Sequence, residues 1–451
     1  MQDASATMGN AANDRETADT GPQAGTSTGP ASPYPPLALR APWLGIVFLM
    51  LIGLLNYLDR VLPSILAEAI KRDLVLSDMM IGLINGLGFL AIYALASIPI
   101  ATMSDRGRYN LVISGALAIW SLMTMVGGMV ANGWQLALTR SGVALGEAGG
   151  MPAAHAFITR HIPAGSRARA LSLYTACVPL GTMSGFVVGG VIGEWLGWRN
   201  TFLLMGGIGA ALALLSLPMF GVKRLQPASN GPETEAPAPS IAPLLRKRSL
   251  YLILAGASFM GMGGYTAMAF SPAFLIRIHQ MSMGQAGIIF GIAGGCLGIA
   301  GLFVTGWLSD RLSQRDRRWW PGLVIATNIV ALPLSIAGFM ADHLWLAMTG
   351  LAANIALATI FQVPLIGALH ALAPVALRAR VSALLLLATA VLGGLGPLAA
   401  GILSDHLQPA LGDEALRYAL LLVPGAFIAA SLCLLAAIPF FAGEIHGGED
   451  E

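Results

Sequence analysis

Charged side chains make up only 11% of these 451 residues, too few to cover the surface of a soluble chain of this length. Cysteine is scarcer still. Cys177, Cys296 and Cys433 each fall inside an apolar stretch, without Cys-x-x-Cys spacing, which excludes a disulfide framework and a thiolate metal site. The net charge is only +2 and no basic run is interleaved with aromatics, so nucleic acid is not an expected partner. No glycine-rich phosphate loop appears, and none of the seven histidines clusters with Asp, Ser or Cys at catalytic or metal-ligating spacing. Neither a cofactor nor a metal is expected.

What fills the chain is apolar. With 56% hydrophobic residues and a mean hydropathy of +0.72, it belongs in a bilayer. Its apolar segments run about 20 to 30 residues between polar interruptions, the length of tilted spanning helices rather than barrel strands. The 55 glycines and 26 prolines suit a bundle in which small residues let helices approach and helix breaks line a cavity. The expected spans are 42–70, 78–104, 110–131, 134–160, 168–194, 200–221, 249–278, 285–309, 319–341, 344–373, 380–405 and 415–442. The segment before them is rich in Ala, Ser, Thr, Gly and Pro and cannot bury a core. The first apolar stretch lacks the basic flank and cleavage site of a signal peptide. The reading is an all-α membrane protein: a disordered tail over 1–40, six helices over 41–221, a polar linker over 222–248, six helices over 249–442 and a tail over 443–451.

Basic residues set the orientation. With both termini cytoplasmic, most of the 25 Lys and Arg fall on that side, and only Lys71, Arg72, Arg199, Arg277 and Arg417 fall on the other. A multi-pass protein of a bacterial-type inner membrane is expected, as a monomer in contact with membrane lipids. The halves also repeat. Pro163-Ala164-Gly165-Ser166-Arg167-Ala168-Arg169 recurs as Pro374-Val375-Ala376-Leu377-Arg378-Ala379-Arg380, an offset of 211 that also takes Gly190 and Glu194 to Gly401 and Asp405. Ser104-Asp105-Arg106 recurs as Ser309-Asp310-Arg311 at an offset of 205. Six-helix parallel repeats around a central cavity are an architecture of alternating access.

Gly306-Trp307-Leu308-Ser309-Asp310-Arg311 resembles the loop signature of the major facilitator superfamily, although the first-half copy has Ala101 at the glycine position. Asn56-Tyr57-Leu58-Asp59-Arg60 in helix one, and Arg140 through Gly146-Glu147-Ala148-Gly149 in helix four, are similar to the spinster-like branch of lipid and sphingolipid transporters. The resemblance implies a major facilitator fold of twelve helices in two pseudo-symmetric halves. It also implies that helices one and four line the cavity, gathering Asp59, Arg60, Arg140 and Glu147 into one mixed cluster.

The residues themselves bear on that cluster. Asp59 and Arg60 lie about 17 residues into helix one, roughly 25 Å along it, too deep for an interfacial flank. Intramembrane charges are costly unless paired or wetted, and so mark function by default. Adjacent residues point about 100° apart on a helix, so these two cannot simply neutralise each other. Arg140 and Glu147, seven apart, share a face. The bland alternatives are a structural ion pair pinning helix packing, and a fixed Arg140–Glu147 pair. The functional hypothesis makes Asp59 and Glu147 the proton-coupling groups, with Arg60 and Arg140 holding an anionic head group. Asn56, Tyr57, His155 and Gln362 complete the expected substrate-binding set. The repeat carries Arg140 and Glu147 to Leu351 and Ala358, so charge is confined to one half. A cavity charged on one side and apolar on the other suits an anionic amphiphile such as a lysolipid or sphingoid phosphate.

Asp105, Arg106, Asp310, Arg311, Arg167 and Arg378 are the expected cytoplasmic gating set, the acids pairing with loop arginines. Glu68, Lys71 and Arg72 read as a wet outer rim. An organic-anion:proton symporter for small carboxylic acids is the alternative within transporters, kept open by Asn354 and Gln362 in helix ten. A membrane-embedded lipid-modifying enzyme would need convergent catalytic groups, which the sequence does not supply. A channel would not need intramembrane acid–base pairs.

Overall fold

Without water in the bilayer core, every backbone amide must be satisfied within its own segment, so the apolar runs form helices and the breaks fall at glycine, proline and small residues. The computed structural model describes residues 36–104, 108–221 and 240–445. Helix one is Pro42–Ile65, helix two Asp78–Met103 and helix three Tyr109–Gly127. Helix four is made of Gly133–Glu147 and Gly150–His161. Helix five begins at Arg167–Thr175 and continues into Cys177–Phe220, which folds back at Gly197 to become helix six. At φ 77° that glycine takes a left-handed conformation that would strain any other residue. Helices seven to nine are Arg248–Arg277, Met283–Ser313 and Trp319–Met340. Helix ten is Leu344–Ile360 with Gln362–Leu372, helix eleven Arg378–Gly393 with Leu395–Leu411, and helix twelve Leu422–Glu444.

Among the described residues, ten continuous stretches are long and apolar enough to cross a membrane. One of them, Ala164–Phe220, makes two crossings by folding at Gly197. The charge-bearing helix four, in pieces of 15 and 12 residues, adds the remaining crossing. The result is twelve crossings in two six-helix halves. The internal repeat is visible in the backbone: Ala164–Ser166 and Val375–Leu377 are matching 3-10 turns after prolines with φ of −54°, and each leads into a helix starting at an arginine.

Several boundaries differ from expectation: helix three ends at Gly127, helix eleven runs on to Leu411, and a short helix Ala415–Ala419 precedes helix twelve, which starts at Leu422. Helix one stops at Ile65 and a separate amphipathic helix, Ala67–Leu74, carries Glu68, Lys71 and Arg72. Leu37–Arg40 form a helical turn within the segment expected as tail, and Leu244–Arg246 a 3-10 turn within the linker. Residues 1–35, 222–239 and 446–451 of those expected tails and linker lie outside the described residues.

Among the described residues, Gly221 at the end of helix six lies against Pro36. Asn110 Nδ2 donates to the Gly221 carbonyl at 2.9 Å, and Lys247 Nζ donates to the carbonyls of Leu372 and Glu444 at 2.8 and 2.6 Å. The halves meet toward the opposite face, backbone on backbone. A Cβ on Gly190 would stand 2.7 Å from the Met283 carbonyl oxygen, and one on Gly86 2.5 Å from that of Gly394. Gly181 and Gly185 let helix five press on helix one at Leu54 and Leu58. The glycines of helix five are packing residues, as small residues are in membrane bundles.

Candidate functional site

Helix one presents Asp59 and Arg60 on different faces, and helix four answers each with a partner. Arg140 Nη1 donates to Asp59 Oδ2 at 2.9 Å and its Nη2 to the Asp59 carbonyl at 3.3 Å; the Thr124 hydroxyl of helix three donates to the same carboxylate at 3.0 Å. Asp59 and Arg140 are each only 2% exposed. Arg60 Nε and Nη2 donate to Glu147 Oε2 at 3.1 and 2.9 Å, and Nη2 also reaches Asn56 Oδ1 at 3.5 Å. The two ion pairs therefore cross between helices. An Arg140–Glu147 pair within helix four, expected as the bland alternative, is not what forms: seven residues set them about 10 Å apart along the helix, and each side chain meets a different residue of helix one.

Small residues make this geometry attainable. A Cβ on Gly146 would lie 2.8 Å from both the Ala116 carbonyl oxygen and the Trp120 amide nitrogen, so helix four can seat Glu147 only because helix three finds no side chain there. Aromatic faces complete the surroundings. The Arg60 guanidinium lies 4.6 Å from the Tyr93 ring centre and 4.8 Å from that of Tyr57, while Phe89 stands 5.3 Å from Arg60 and 5.2 Å from Arg140. Such contacts stabilise a desolvated cation without fixing it as a second carboxylate would. Glu147 Oε1, Arg140 Nε and Asn56 Nδ2 are buried with no hydrogen-bond partner. The site thus has unused donors and acceptors on both signs of charge.

Two small cavities adjoin these residues, and a third, larger one lies next to them. One of about 20 Å³ touches Glu147, Asn56, Tyr57 and Tyr174, and one of about 30 Å³ touches Arg60, Arg140 and Phe89. The third, about 240 Å³, belongs mainly to helices seven, eight and ten. Tyr265 and Met268 line both this large cavity and the one at Arg60, so the charged cluster and the apolar chamber share a wall. Leu351 and Ala358, the repeat partners of Arg140 and Glu147, both line the large cavity. Polar groups there are few; Asn354 is oriented by the Ser335 hydroxyl, which donates to its Oδ1 at 2.6 Å, and Gln362 lies on the wall.

The other expected site residues are more dispersed. His155 stacks edge-on against Tyr174, one side chain behind the Glu147 cavity. Asp105 and Arg106 lie outside the described residues. Asp310, Arg311, Arg167 and Arg378 are exposed on the terminal face, where Arg167 Nε donates to the Ile162 carbonyl at 3.1 Å.

The strong cross-half network is elsewhere. On the opposite face Arg277 donates to both Asp78 carboxylate oxygens at 2.9 Å and also to Glu68, while Lys71 donates to Asp78 and the Ser404 hydroxyl donates to Asp78 at 2.7 Å. Glu68 is only 7% exposed, which corrects its reading as wet rim. Its partner comes from the other half, about 200 residues away in sequence, and local pattern cannot show that. Thr124 was invisible because its partner Asp59 lies 65 residues away on another helix of the same half.

Residues 49–397 match the Major Facilitator Superfamily. An MFS-type efflux pump of Mycolicibacterium smegmatis is 42% identical over 405 residues, covering 90% of this chain and 94% of its own. Human protein spinster homolog 1 is 27% identical over 310 residues, 63% of this chain and 57% of its own. Among solved structures, a bacterial homologue of the human lysosomal transporter Spinster, inward-facing and unoccupied, superposes with a TM-score of 0.81 at 26% identity, over 90% of this chain and 99% of that one. Fold, sequence match and relatives agree: the chain is a multi-pass membrane transporter that belongs to the Major Facilitator Superfamily, with spinster-like proteins among its relatives.

Proposed function

We propose that this transporter works by alternating access and couples protons to the movement of an anionic amphiphile, such as a lysolipid or sphingoid phosphate. The observation that carries the reading is the shared wall at Tyr265 and Met268, which sets a charged cluster beside an apolar chamber of about 240 Å³. A small hydrophilic acid has no use for that chamber. An acyl chain does, and its burial supplies the affinity.

The chemistry at the head group is a competition. An incoming phosphate or carboxylate takes the Arg60 guanidinium, already on the rim of a cavity, away from Glu147. Glu147 is then a buried carboxylate without its cation, and accepts a proton. Asp59 and Arg140 form the deeper pair of the same relay, with Asn56 and Tyr57 lining the approach. Anion and proton bind together, and the proton offsets one negative charge of the anion. The positive-inside bias supports cytoplasmic termini, and bacterial relatives support the plasma membrane.

A second reading, a small organic anion carried with a proton, draws on Gln362 and on Asn354 Nδ2, a buried donor without a partner. Thermal stabilisation separates the two. Purified protein is titrated with lysolipid phosphates and with short carboxylic acids, in wild type and in Arg60→Ala. The proposal expects stabilisation by the amphiphiles, deepening with chain length and lost in Arg60→Ala. Stabilisation by short acids alone, unaffected by added amphiphile, would sink it.

A further inference from the structure

Glu194 and Asp405 lie near the opposite-face ends of helices five and eleven, 211 residues apart, the offset of the internal repeat. Each reaches into the other half. Glu194 Oε2 accepts from the Gly284 amide at 2.6 Å and from the Ser282 hydroxyl at 2.9 Å, in the first turn of helix eight. Asp405 accepts from the Asp78 and Met79 amides, each at 2.8 Å, in the first turn of helix two. Those two helices start at equivalent places, on the N-cap serines Ser77 and Ser282, which are 205 residues apart. The same offset relates Ser104 and Ser309 at their other ends. The approach is repeated as well: Gly190 and Gly401, four residues before each acid, let the backbones touch at Met283 and Asp78.

The first amides of a helix have no partner within it and carry the positive end of its dipole. A carboxylate placed there makes charge-assisted hydrogen bonds, roughly twice as strong as neutral ones. Here the acid and the helix start belong to opposite halves, so these bonds exist only while the opposite face is closed. We infer that Glu194 and Asp405 are matched gating residues of the transport cycle, each closing the opposite face by capping a helix of the other half and releasing it when that face opens. The arrangement is asymmetric in its surroundings. Asp405 works beside the Asp78–Arg277–Lys71 network, whereas Glu194 acts through its cap on helix eight alone, since its repeat lacks an equivalent of Asp78. The inference does not depend on the identity of the substrate.

The test is a distance across the opposite face in the full chain, with native cysteines replaced and spin labels at Met129 and Trp345, which are 72% and 83% exposed in the two halves. Glu194→Gln and Asp405→Asn keep shape but remove charge. Each is expected to lengthen the distance, raising the open-to-closed ratio roughly tenfold, and the double variant roughly a hundredfold because the caps share no partner. Asp413→Asn, an exposed acid on the same face, leaves the distribution unchanged. If an amide variant fails to fold, Glu194→Asp and Asp405→Glu, which misplace the charge, replace it and must shift the distance the same way. Unchanged distances in folded single variants, or an equal shift in Asp413→Asn, overturn the inference.

Discussion

Arg140→Ala removes the cation from a carboxylate that water does not reach. Asp59 and Arg140 are each 2% exposed, so the full penalty of an uncompensated buried charge applies, about 3–5 kcal/mol. Asp59 keeps the Thr124 hydroxyl, worth about 1 kcal/mol, which leaves an expected loss near 3 kcal/mol. Removing both charges, as in Asp59→Asn with Arg140→Ala, takes away the reason for the penalty and should recover most of the loss. The coupling across this cycle is expected at roughly 1–3 kcal/mol. Arg60→Ala must behave differently. Its side chain is 17% exposed and Glu147 itself lines a cavity, so the orphaned Glu147 can take up a proton, and the loss is expected nearer 1–2 kcal/mol. Because Glu147 without Arg60 is tolerated only as the neutral acid, the folded state of Arg60→Ala binds an extra proton. Its stability, relative to wild type, therefore falls as pH rises. The assay is unfolding in detergent followed by tryptophan fluorescence at two pH values. A double variant no more stable than Arg140→Ala, or an Arg60→Ala loss exceeding that of Arg140→Ala, would refute the reasoning.

Other consequences follow from the same geometry. Gly146→Ala drives a methyl group into the helix-three backbone and is expected to cost about 1–3 kcal/mol, read as a lowered midpoint, whereas Gly115→Ala, with open space around it, is expected to be neutral. Leu351→Arg or Ala358→Arg restores charge to the apolar chamber and should abolish stabilisation by long-chain amphiphiles without changing that by short acids, as a thermal-shift series reports. Arg277→Ala leaves Asp78 and Glu68 without their main cation across the halves, and should raise labelling of a cysteine placed at the opposite-face entrance.

Much of this was readable in the sequence because a bilayer forces apolar runs into helices, and because duplication leaves its offset in both residues and backbone. The turn after Pro163 and its copy after Pro374 fold alike, as their shared sequence implies. The confinement of charge to one half was equally legible, since it needs only the repeat and the identities of Leu351 and Ala358. Partner choice was not. A seven-residue spacing puts Arg140 and Glu147 on one face, but it cannot show that helix four breaks after Glu147 or that Gly146 allows helix three to close in. Glu68 and Arg277 look like separate rim charges until the two halves are placed together, and contacts at that sequence separation leave no periodic trace.

The central claim is that a proton and an anionic amphiphile meet at the Arg60–Glu147 pair. Its most direct test is proton flux into liposomes containing the purified protein, started by adding a lysolipid phosphate, in wild type and in Glu147→Gln. The account predicts substrate-dependent flux in wild type, and in Glu147→Gln retained substrate binding with no flux. Equal flux in the two proteins, or flux absent from wild type while the amphiphile is transported, would contradict it.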